Sequence, residues 1–170
     1  MYKFAAACEG ESIVFGSARP EYENVSDWIE FMKAQGIQRV CCLLPESQLN
    51  RYNDLIGAYE REFNAVCWSP IEDFRLSDRT NLTEKILPFL AEADQKNEKV
   101  VVHCSGGIGR TGHVLAAWLV YGRGMLPKDA IASVKKTGKN PHEAAIAALF
   151  FGRNPFKVLR DLNALLDSVR

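Results

Sequence analysis

The chain has 170 residues, of which 47% are apolar, 10% aromatic and 25% charged, a length and composition typical of one soluble globular domain. Its 21 basic and 21 acidic residues cancel, so it lacks the basic excess of a protein that binds nucleic acid or a membrane surface. We therefore expect neither nucleic acid nor a membrane among its partners.

The first half of the chain is predicted to contain two strands joined as a hairpin, a helix, a buried strand and a helical stretch. The helix shows apolar residues at helical spacing and stops before Gly36, and the buried strand is an apolar run that stops at Pro45. In chain order these elements cover residues 2–7, 12–15, 24–35, 38–44 and 46–63.

The second half is predicted to contain two strands and five helices. The helix over 81–97 is expected to be capped by Asn81 or Ser77. The helix over 140–152 is expected to be capped by Asn140, with Pro141 inside its first turn and Glu143 three residues after the cap. The strands cover residues 65–68 and 99–103, and the helices cover 81–97, 110–121, 127–137, 140–152 and 154–170.

Alternating strands and helices predict an α/β domain with a central, mostly parallel sheet flanked by helices. No linker or repeat interrupts the sequence, so we expect a single domain over residues 1–170. Within it we expect an N-terminal hairpin region over 1–20, a core region over 21–152 and a C-terminal helix over 153–170.

The cysteines and the N-terminal segment both indicate a cytoplasmic protein. Five cysteines without a Cys-x-x-Cys pair fit free thiols in a reducing compartment. The apolar stretch before Glu9 is shorter than the roughly 7–15 residues of a signal-peptide core. With only three histidines, no metal site and no cofactor are expected.

A glycine-rich loop follows the strand predicted over 99–103 and leads into the next helix. Glycines allow backbone N–H groups to point inward as an anion nest, and the positive end of a helix favours the same anion. The arginine at the helix start can clamp two phosphate oxygens. The predicted phosphate-binding residues are Ser105, Gly106, Gly107, Ile108, Gly109 and Arg110.

Three side chains beside this loop have predicted chemical roles. Cys104 lies in the same positive field, where a thiol is ionised near neutral pH and can attack phosphorus. The Thr111 hydroxyl is expected to donate to that thiolate or to the departing sulfur. His103 is expected to support the loop from behind. The alternative interpretation is a glycine-rich turn around a buried structural cysteine.

The segment His103-Cys104-x5-Arg110-Thr111 resembles the signature of the cysteine-dependent protein tyrosine and dual-specificity phosphatases. Within that superfamily the chain is most similar, over residues 24–150, to the kinase-associated phosphatase branch, also called cyclin-dependent kinase inhibitor 3-like. The resemblance implies a dual-specificity phosphatase-like fold and a metal-independent phosphatase with a phosphocysteine intermediate. The further matching segments are Cys42-Leu-Leu-Pro-Glu46, Leu49-Asn-Arg-Tyr52, Leu55, Tyr59 and Ser69-Pro-Ile-Glu-Asp73.

Members of the family use an aspartate roughly thirty residues before the cysteine as the general acid. Asp73 lies 31 residues before Cys104, so the resemblance implies that Asp73 has this role. Asp78 is the reserve candidate and Glu72 the third. The relatives usually have a proline shortly after their aspartate, whereas residues 74–77 here read Phe-Arg-Leu-Ser, which leaves the stiffness of this loop open.

The substrate class is predicted from the interior of the loop, which carries no charge. Phosphoinositide-directed relatives place lysines there, so a phosphoprotein or phosphopeptide is favoured, with phosphotyrosine or phosphoserine/threonine. The alternative is a pseudophosphatase, a catalytically weak module that binds phosphoproteins. Because pseudophosphatases usually lose the cysteine, the arginine or the acid, the enzyme is preferred. We expect it to act as a monomer.

Cys41 and Cys42 are adjacent in a predicted strand, so they point to opposite faces of the sheet. Cys42 matches a cysteine of the branch and could form a reversible disulfide with Cys104 that protects it from over-oxidation. The alternative is that both are small core residues.

Four residues close to the start of the helix predicted over 140–152 carry basic side chains. They form either a rim that attracts acidic substrates or a solvated helix end, and the second interpretation is the commoner one. They are Lys135, Lys136, Lys139 and His142.

Overall fold

Strands and helices alternate along the computed structural model, which describes residues 1–170. The strands are β1 (Ala5–Ala6), β2 (Val14–Ser17), β3 (Arg39–Cys42), β4 (Ala65–Trp68) and β5 (Val100–His103). The α-helices are α1 (Val25–Ala34), α2 (Glu46–Leu49), α3 (Leu55–Glu62), α4 (Arg79–Asn81), α5 (Leu87–Lys96), α6 (Gly109–Arg123), α7 (Pro127–Lys135), α8 (Glu143–Phe150) and α9 (Pro155–Asp167). A π-helical turn over Leu82–Ile86 joins α4 to α5.

The five strands form one sheet in the order β1-β2-β5-β3-β4. Only the β1–β2 pair is antiparallel, with Ala5 opposite Gly16, and the other three pairs are parallel. The predicted α/β class with a mostly parallel sheet is therefore confirmed. Because β5 lies between β2 and β3, the residue that follows it emerges in the middle of the carboxyl edge of the sheet.

The sheet has a buried cluster on each face because β5 is apolar on both sides. Val100 and Val102 belong to one cluster, which packs against α5, α6, α7 and α9. Val101 belongs to the other, which packs against α1 and α3. A run of β-branched residues covered on both faces is typical of a central parallel strand, and it fixes the position of the chain immediately after His103.

Local capping explains why several helices begin where the sequence predicts. Asn24 accepts a hydrogen bond from the Asp27 N–H at 3.3 Å, and α1 ends before Gly36, which has a φ of +82°. Asn154 accepts from the Phe156 N–H at 3.0 Å at the start of α9. Side-chain oxygens at these positions satisfy N–H groups that the helix leaves unpaired.

The helical stretch predicted over 46–63 is wrong as a single element, since it is two helices separated by residues 50–54. Asp54 accepts a hydrogen bond from the Gly57 N–H at 3.1 Å and so caps a new helix, α3. A carboxylate that can cap is a stronger local signal than the continuing apolar spacing.

Two predicted caps are also wrong. Asp78, rather than Asn81 or Ser77, caps α4 by accepting from the Asn81 N–H at 2.7 Å. Asn140 accepts from the His142 N–H at 3.1 Å, which makes a turn that precedes α8 instead of starting it. In both cases several short polar side chains compete within a few residues, and local pattern does not decide which one caps.

None of the helices combines the length and the apolar character that a membrane span requires.

Candidate active site

Cys104 is the first residue after β5, and its sulfur lies at the entrance to α6. The side chain is buried. The Gly107 N–H donates to Sγ at 3.3 Å, and the Thr111 hydroxyl donates to it at 3.1 Å. Both donors are aimed at the sulfur, and a hydrogen bond of this kind stabilises negative charge on the atom that accepts it. Thr111 is the residue that the sequence predicts to donate to this sulfur, either as the thiolate or as it departs.

Two glycines allow the loop to close around the sulfur. Gly107 has a φ of +72°, and a β-carbon there would lie 2.5 Å from the backbone of Ser17 and Ala18 at the end of β2. A β-carbon on Gly109 would collide with the Glu143 carboxylate. Any other residue would therefore displace either β2 or the start of α8 from the loop.

His103, which the sequence predicts to support the loop, contacts Tyr59 and the backbone of Cys104. Its Nε2 lies 2.9 Å from the Tyr59 hydroxyl, and its Nδ1 lies 3.2 Å from the Cys104 carbonyl oxygen. Burial lowers the pKa of His103 to about 4, so the ring is neutral at neutral pH. Tyr59, whose pKa burial raises well above its usual value, donates to Nε2 and leaves Nδ1–H to donate to Cys104.

Arg110 connects the loop to the segment that contains Asp73. Its guanidinium donates to the Ile71 carbonyl at 3.1 Å, and its Nη2 lies 3.2 Å from Asp73 Oδ1. The Arg110 side chain is only 3% exposed, whereas that of Asp73 is 41% exposed. The structure thus brings together the predicted nucleophile, the predicted phosphate clamp and the first-choice acid.

The segment after Asp73 is held in place although it lacks the proline of the relatives. The Phe74 ring packs against that of Phe151 with centroids 5.5 Å apart. Arg153 donates to the Phe74 carbonyl at 2.9 Å. Phe151 and Arg153 lie in the connection between α8 and α9. Packing against a distant part of the chain therefore supports the loop, which has no proline to stiffen its backbone.

The reserve acids lie elsewhere. Asp78 is engaged as the cap of α4, and it lines a separate cleft of about 520 Å³ beside α9. Glu72 is exposed and lies outside the cavity that contains Cys104. The geometry therefore favours Asp73 over both.

Two further polar residues at this site received no chemical role from the sequence. Glu143, the first residue of α8, lines the same cavity as Cys104, and burial together with the nearby Asp73 carboxylate raises its pKa. Gln48 on α2 accepts from Arg110 at 3.3 Å. Its partner is 62 residues away, and such a contact has no local sequence signal.

The two neighbouring cysteines of β3 face opposite sides of the sheet. Cys41 packs in the same buried cluster as Cys104, whereas Cys42 packs in the cluster of Trp28 and Tyr59. Burial raises the pKa of Cys42 to about 12. The small-core-residue interpretation fits this placement, and a disulfide between Cys42 and Cys104 stays a prediction.

The predicted basic group divides into two environments. Lys135 Nζ lies 2.9 Å from His142 Nδ1 on the surface, and Lys136 is exposed. Lys139, however, is only 3% exposed and donates to the Lys3 carbonyl at 2.8 Å. Its assignment to a rim or to a solvated helix end is therefore wrong, because the N-terminal segment covers it.

The cavity above the sulfur has a volume of about 130 Å³, which is small and suits a group of phosphate size. Cys104, Asp73, Arg110 and Glu143 all line it, so a thiol group, a guanidinium and two carboxyls face one space. The remaining lining residues are Phe74, Ser105, Gly106, Ile108 and Gly109. No group of three or more His, Cys, Asp or Glu side chains is arranged to hold a metal ion.

Sequence comparison places this geometry among known proteins. Residues 22–146 match the family described as dual specificity phosphatase, catalytic domain. Cyclin-dependent kinase inhibitor 3 of Rattus norvegicus is 30% identical over 115 residues, which cover 66% of this chain and 54% of the relative. The dual specificity protein phosphatase OPG106 of vaccinia virus is 35% identical over 51 residues, which cover 30% of each protein. The chain thus spans about half the length, or less, of these curated relatives.

Solved structures give the same result. The active form of Tk-PTP superposes with a TM-score of 0.69 at 25% identity, covering 91% of this chain and 93% of that one. Kinase associated phosphatase, with its catalytic cysteine replaced by serine, superposes with a TM-score of 0.67 at 25% identity, covering 75% and 78%. PTPMT1 in complex with PI(5)P has a TM-score of 0.73 over 98% and 96% of the two chains, but at 13% identity this likeness concerns the fold alone.

Proposed function

The chain belongs to the dual specificity phosphatase family, and on that premise we propose that it is a metal-independent phosphoprotein phosphatase that acts through a phosphocysteine intermediate. The observation that supports this most directly is the environment of Cys104. Its sulfur accepts from the Gly107 N–H at 3.3 Å and the Thr111 hydroxyl at 3.1 Å, inside a small cavity that Arg110 and Asp73 also line.

In the first step the Cys104 thiolate attacks phosphorus and forms a P–S bond. The bond from phosphorus to the oxygen of the substrate breaks, and the leaving oxygen takes the proton of the Asp73 carboxylic acid. Arg110 and the backbone N–H groups of the loop hold the remaining oxygens of the phosphoryl group, where negative charge develops. Protonating the leaving oxygen is typically worth about 10²–10⁴-fold in rate.

In the second step a water molecule attacks the phosphocysteine. The Asp73 carboxylate, ionised by the first step, accepts a proton from this water as the P–O bond forms. The P–S bond breaks and returns Cys104 to the thiolate, which the Thr111 hydroxyl stabilises as it leaves. Inorganic phosphate and the starting enzyme result, so no external oxidant, reductant or cofactor is needed.

The proposed substrate is a phosphoprotein carrying phosphotyrosine or phosphoserine/threonine. The relatives support a protein substrate, since they include a dual specificity protein phosphatase and cyclin-dependent kinase inhibitor 3. The loop interior from Ser105 to Gly109 carries no cation that would select a more highly charged phosphate. We propose further that the protein is cytoplasmic, because all five of its cysteines are free, as expected in a reducing compartment. Its monomeric state stays a prediction.

The experiment is hydrolysis of 4-nitrophenyl phosphate in EDTA by wild type and by Cys104→Ser, with Cys67→Ser as the matched control at another cysteine. Wild type and Cys67→Ser should turn over and Cys104→Ser should not. Acid-quenched wild type should carry one phosphoryl group on the peptide containing Cys104. If wild type does not turn over, while phosphopeptide binding persists and depends on Arg110, the protein is a pseudophosphatase and the proposal is wrong.

A further inference from the structure

A buried lysine lies behind the phosphate-binding loop. Lys139, in the connection between α7 and α8, is 3% exposed. The one hydrogen bond of its ammonium group is to the Lys3 carbonyl, at 2.8 Å, and none of the ion pairs of the protein includes it. Burying a cation without a carboxylate partner is costly, so its position calls for a reason beyond packing.

The lysine side chain ends close to the nucleophile. A β-carbon built on Gly16 would lie 2.5 Å from Lys139 Cε and 2.7 Å from the methyl carbon of Thr111. The end of the lysine and the threonine methyl group are therefore neighbours. The hydroxyl of the same threonine donates to Cys104 Sγ at 3.1 Å, so one side chain separates the cation from the sulfur.

The two groups interact electrostatically as well. Burial lowers the pKa of Lys139 to about 8, whereas the negative charge of Cys104 acts in the opposite direction and favours the ammonium form. Such coupling is reciprocal: a thiolate that favours the ammonium is favoured by it to the same extent. Other titratable or charged groups that face this pair from the surrounding elements are Lys3, Cys42, Asp73, His103, Arg110 and Glu143.

We propose that Lys139 is a positioning residue whose buried ammonium group stabilises the thiolate of Cys104 from behind the loop. It complements Arg110, which lines the cavity on the substrate side and also binds Asp73. Lys139 forms no ion pair with a carboxylate, so no paired negative charge offsets its effect on the sulfur. This inference rests on the proposed function, in which Cys104 is the nucleophile.

The first test is the rate of alkylation of Cys104 by iodoacetamide as a function of pH, followed by mass spectrometry of the Cys104 peptide. In Lys139→Met the reaction at pH 6 should be roughly tenfold slower than in wild type, as expected for the loss of one nearby charge in a partly buried site. Lys139→Arg should restore the rate, because it restores the charge. The exposed Lys136→Met should react like wild type.

A second measurement does not require a lysine variant to fold. In Cys104→Ser the thiolate is absent, so the pKa of Lys139, followed by NMR of its ammonium group, should be lower than in wild type. The inference would be overturned if the pKa of Lys139 in Cys104→Ser is unchanged or higher. It would also be overturned if Lys139→Arg folds but is alkylated as slowly as Lys139→Met. Alkylation does not require turnover, so the slower alkylation of Lys139→Met can be observed even if the protein is a pseudophosphatase. If the protein is an active phosphatase and Lys139→Met alkylates as fast as wild type, only this inference is wrong and the proposed function stands.

Discussion

The guanidinium of Arg110 and the carboxylate of Asp73 form an ion pair, with Nη2 3.2 Å from Oδ1. The proposed mechanism requires each of them to do something else: Arg110 must bind phosphoryl oxygens and Asp73 must carry a proton. A phosphate that enters the cavity therefore competes with Asp73 for the guanidinium of Arg110.

The choice of Asp73 as the acid predicts a dependence on the leaving group. Asp73→Asn should lower kcat for phenyl phosphate by about 10²–10⁴-fold. The loss should be smaller for 4-nitrophenyl phosphate, whose leaving oxygen needs less help from a proton. Asp78→Asn is the matched control and should have little effect, because asparagine can also cap α4. Equal losses for the two substrates would contradict the assignment.

The competition for Arg110 predicts tighter binding of a phosphate that undergoes no reaction. In Asp73→Asn the guanidinium is no longer paired with a carboxylate, and the negative charge that repels an anion is gone. The inhibition constant of inorganic phosphate should therefore fall by a few-fold, roughly what one partly screened ion pair is worth. The measurement is inhibition of residual 4-nitrophenyl phosphate hydrolysis, and weaker inhibition than in wild type would be inconsistent with this competition.

The packing of Phe74 on Phe151 predicts that the α8–α9 connection holds the loop that contains Asp73 in place. Phe151→Ala should lower kcat several-fold, because Asp73 would then spend less time over the cavity, and it should leave alkylation of Cys104 unchanged. Phe150→Ala is the matched control: its side chain is 81% exposed and lies one residue away. Stopped-flow assays of both variants test the prediction, and equal losses would show that packing on Phe74 is not the cause.

Local pattern predicted most elements of the sheet and its helices, because periodicity and caps act over a few residues. The strand over Ala65–Trp68 was predicted to the residue, and Cys104 was placed correctly at the end of β5. Lys139 was misplaced because the group that covers it, Lys3, is 136 residues away. Glu143 was used only as a capping signal, since nothing local shows that α8 begins beside the loop.

Glu143 predicts a pH-dependent KM. Burial and the nearby Asp73 carboxylate raise the pKa of Glu143 above its usual 4.5. The Glu143 carboxylate therefore becomes charged at a higher pH than an ordinary glutamate. A new negative charge in the cavity repels phosphate, so KM for 4-nitrophenyl phosphate should rise over this range in wild type and rise less in Glu143→Gln. Glu72→Gln, which lies outside the cavity, should follow wild type. Parallel KM profiles for Glu143→Gln and wild type would rule out this role.

Two buried histidines predict how stability depends on pH. Burial lowers the pKa values of His103 and His113 to about 4, from 6.5. The unfolded chain therefore binds more protons than the folded protein between these values, and the stability present above pH 6.5 is lost as the pH falls towards 4. Each histidine should contribute about 1.4 kcal/mol per pH unit within that window.

His113→Gln isolates one of these contributions. His113 Nε2 accepts from the Ser77 N–H at 3.0 Å, and Nδ1 lies 3.3 Å from the Gly109 carbonyl oxygen. A glutamine can replace both contacts but does not titrate. Urea unfolding at pH 7.5, 6 and 5 should give a shallower loss of the free energy of unfolding in this variant, whereas the half-buried His142→Gln should stay closer to wild type. A slope unchanged by His113→Gln would mean that His113 binds protons to the same extent in the folded and unfolded protein, which would contradict the lowered pKa.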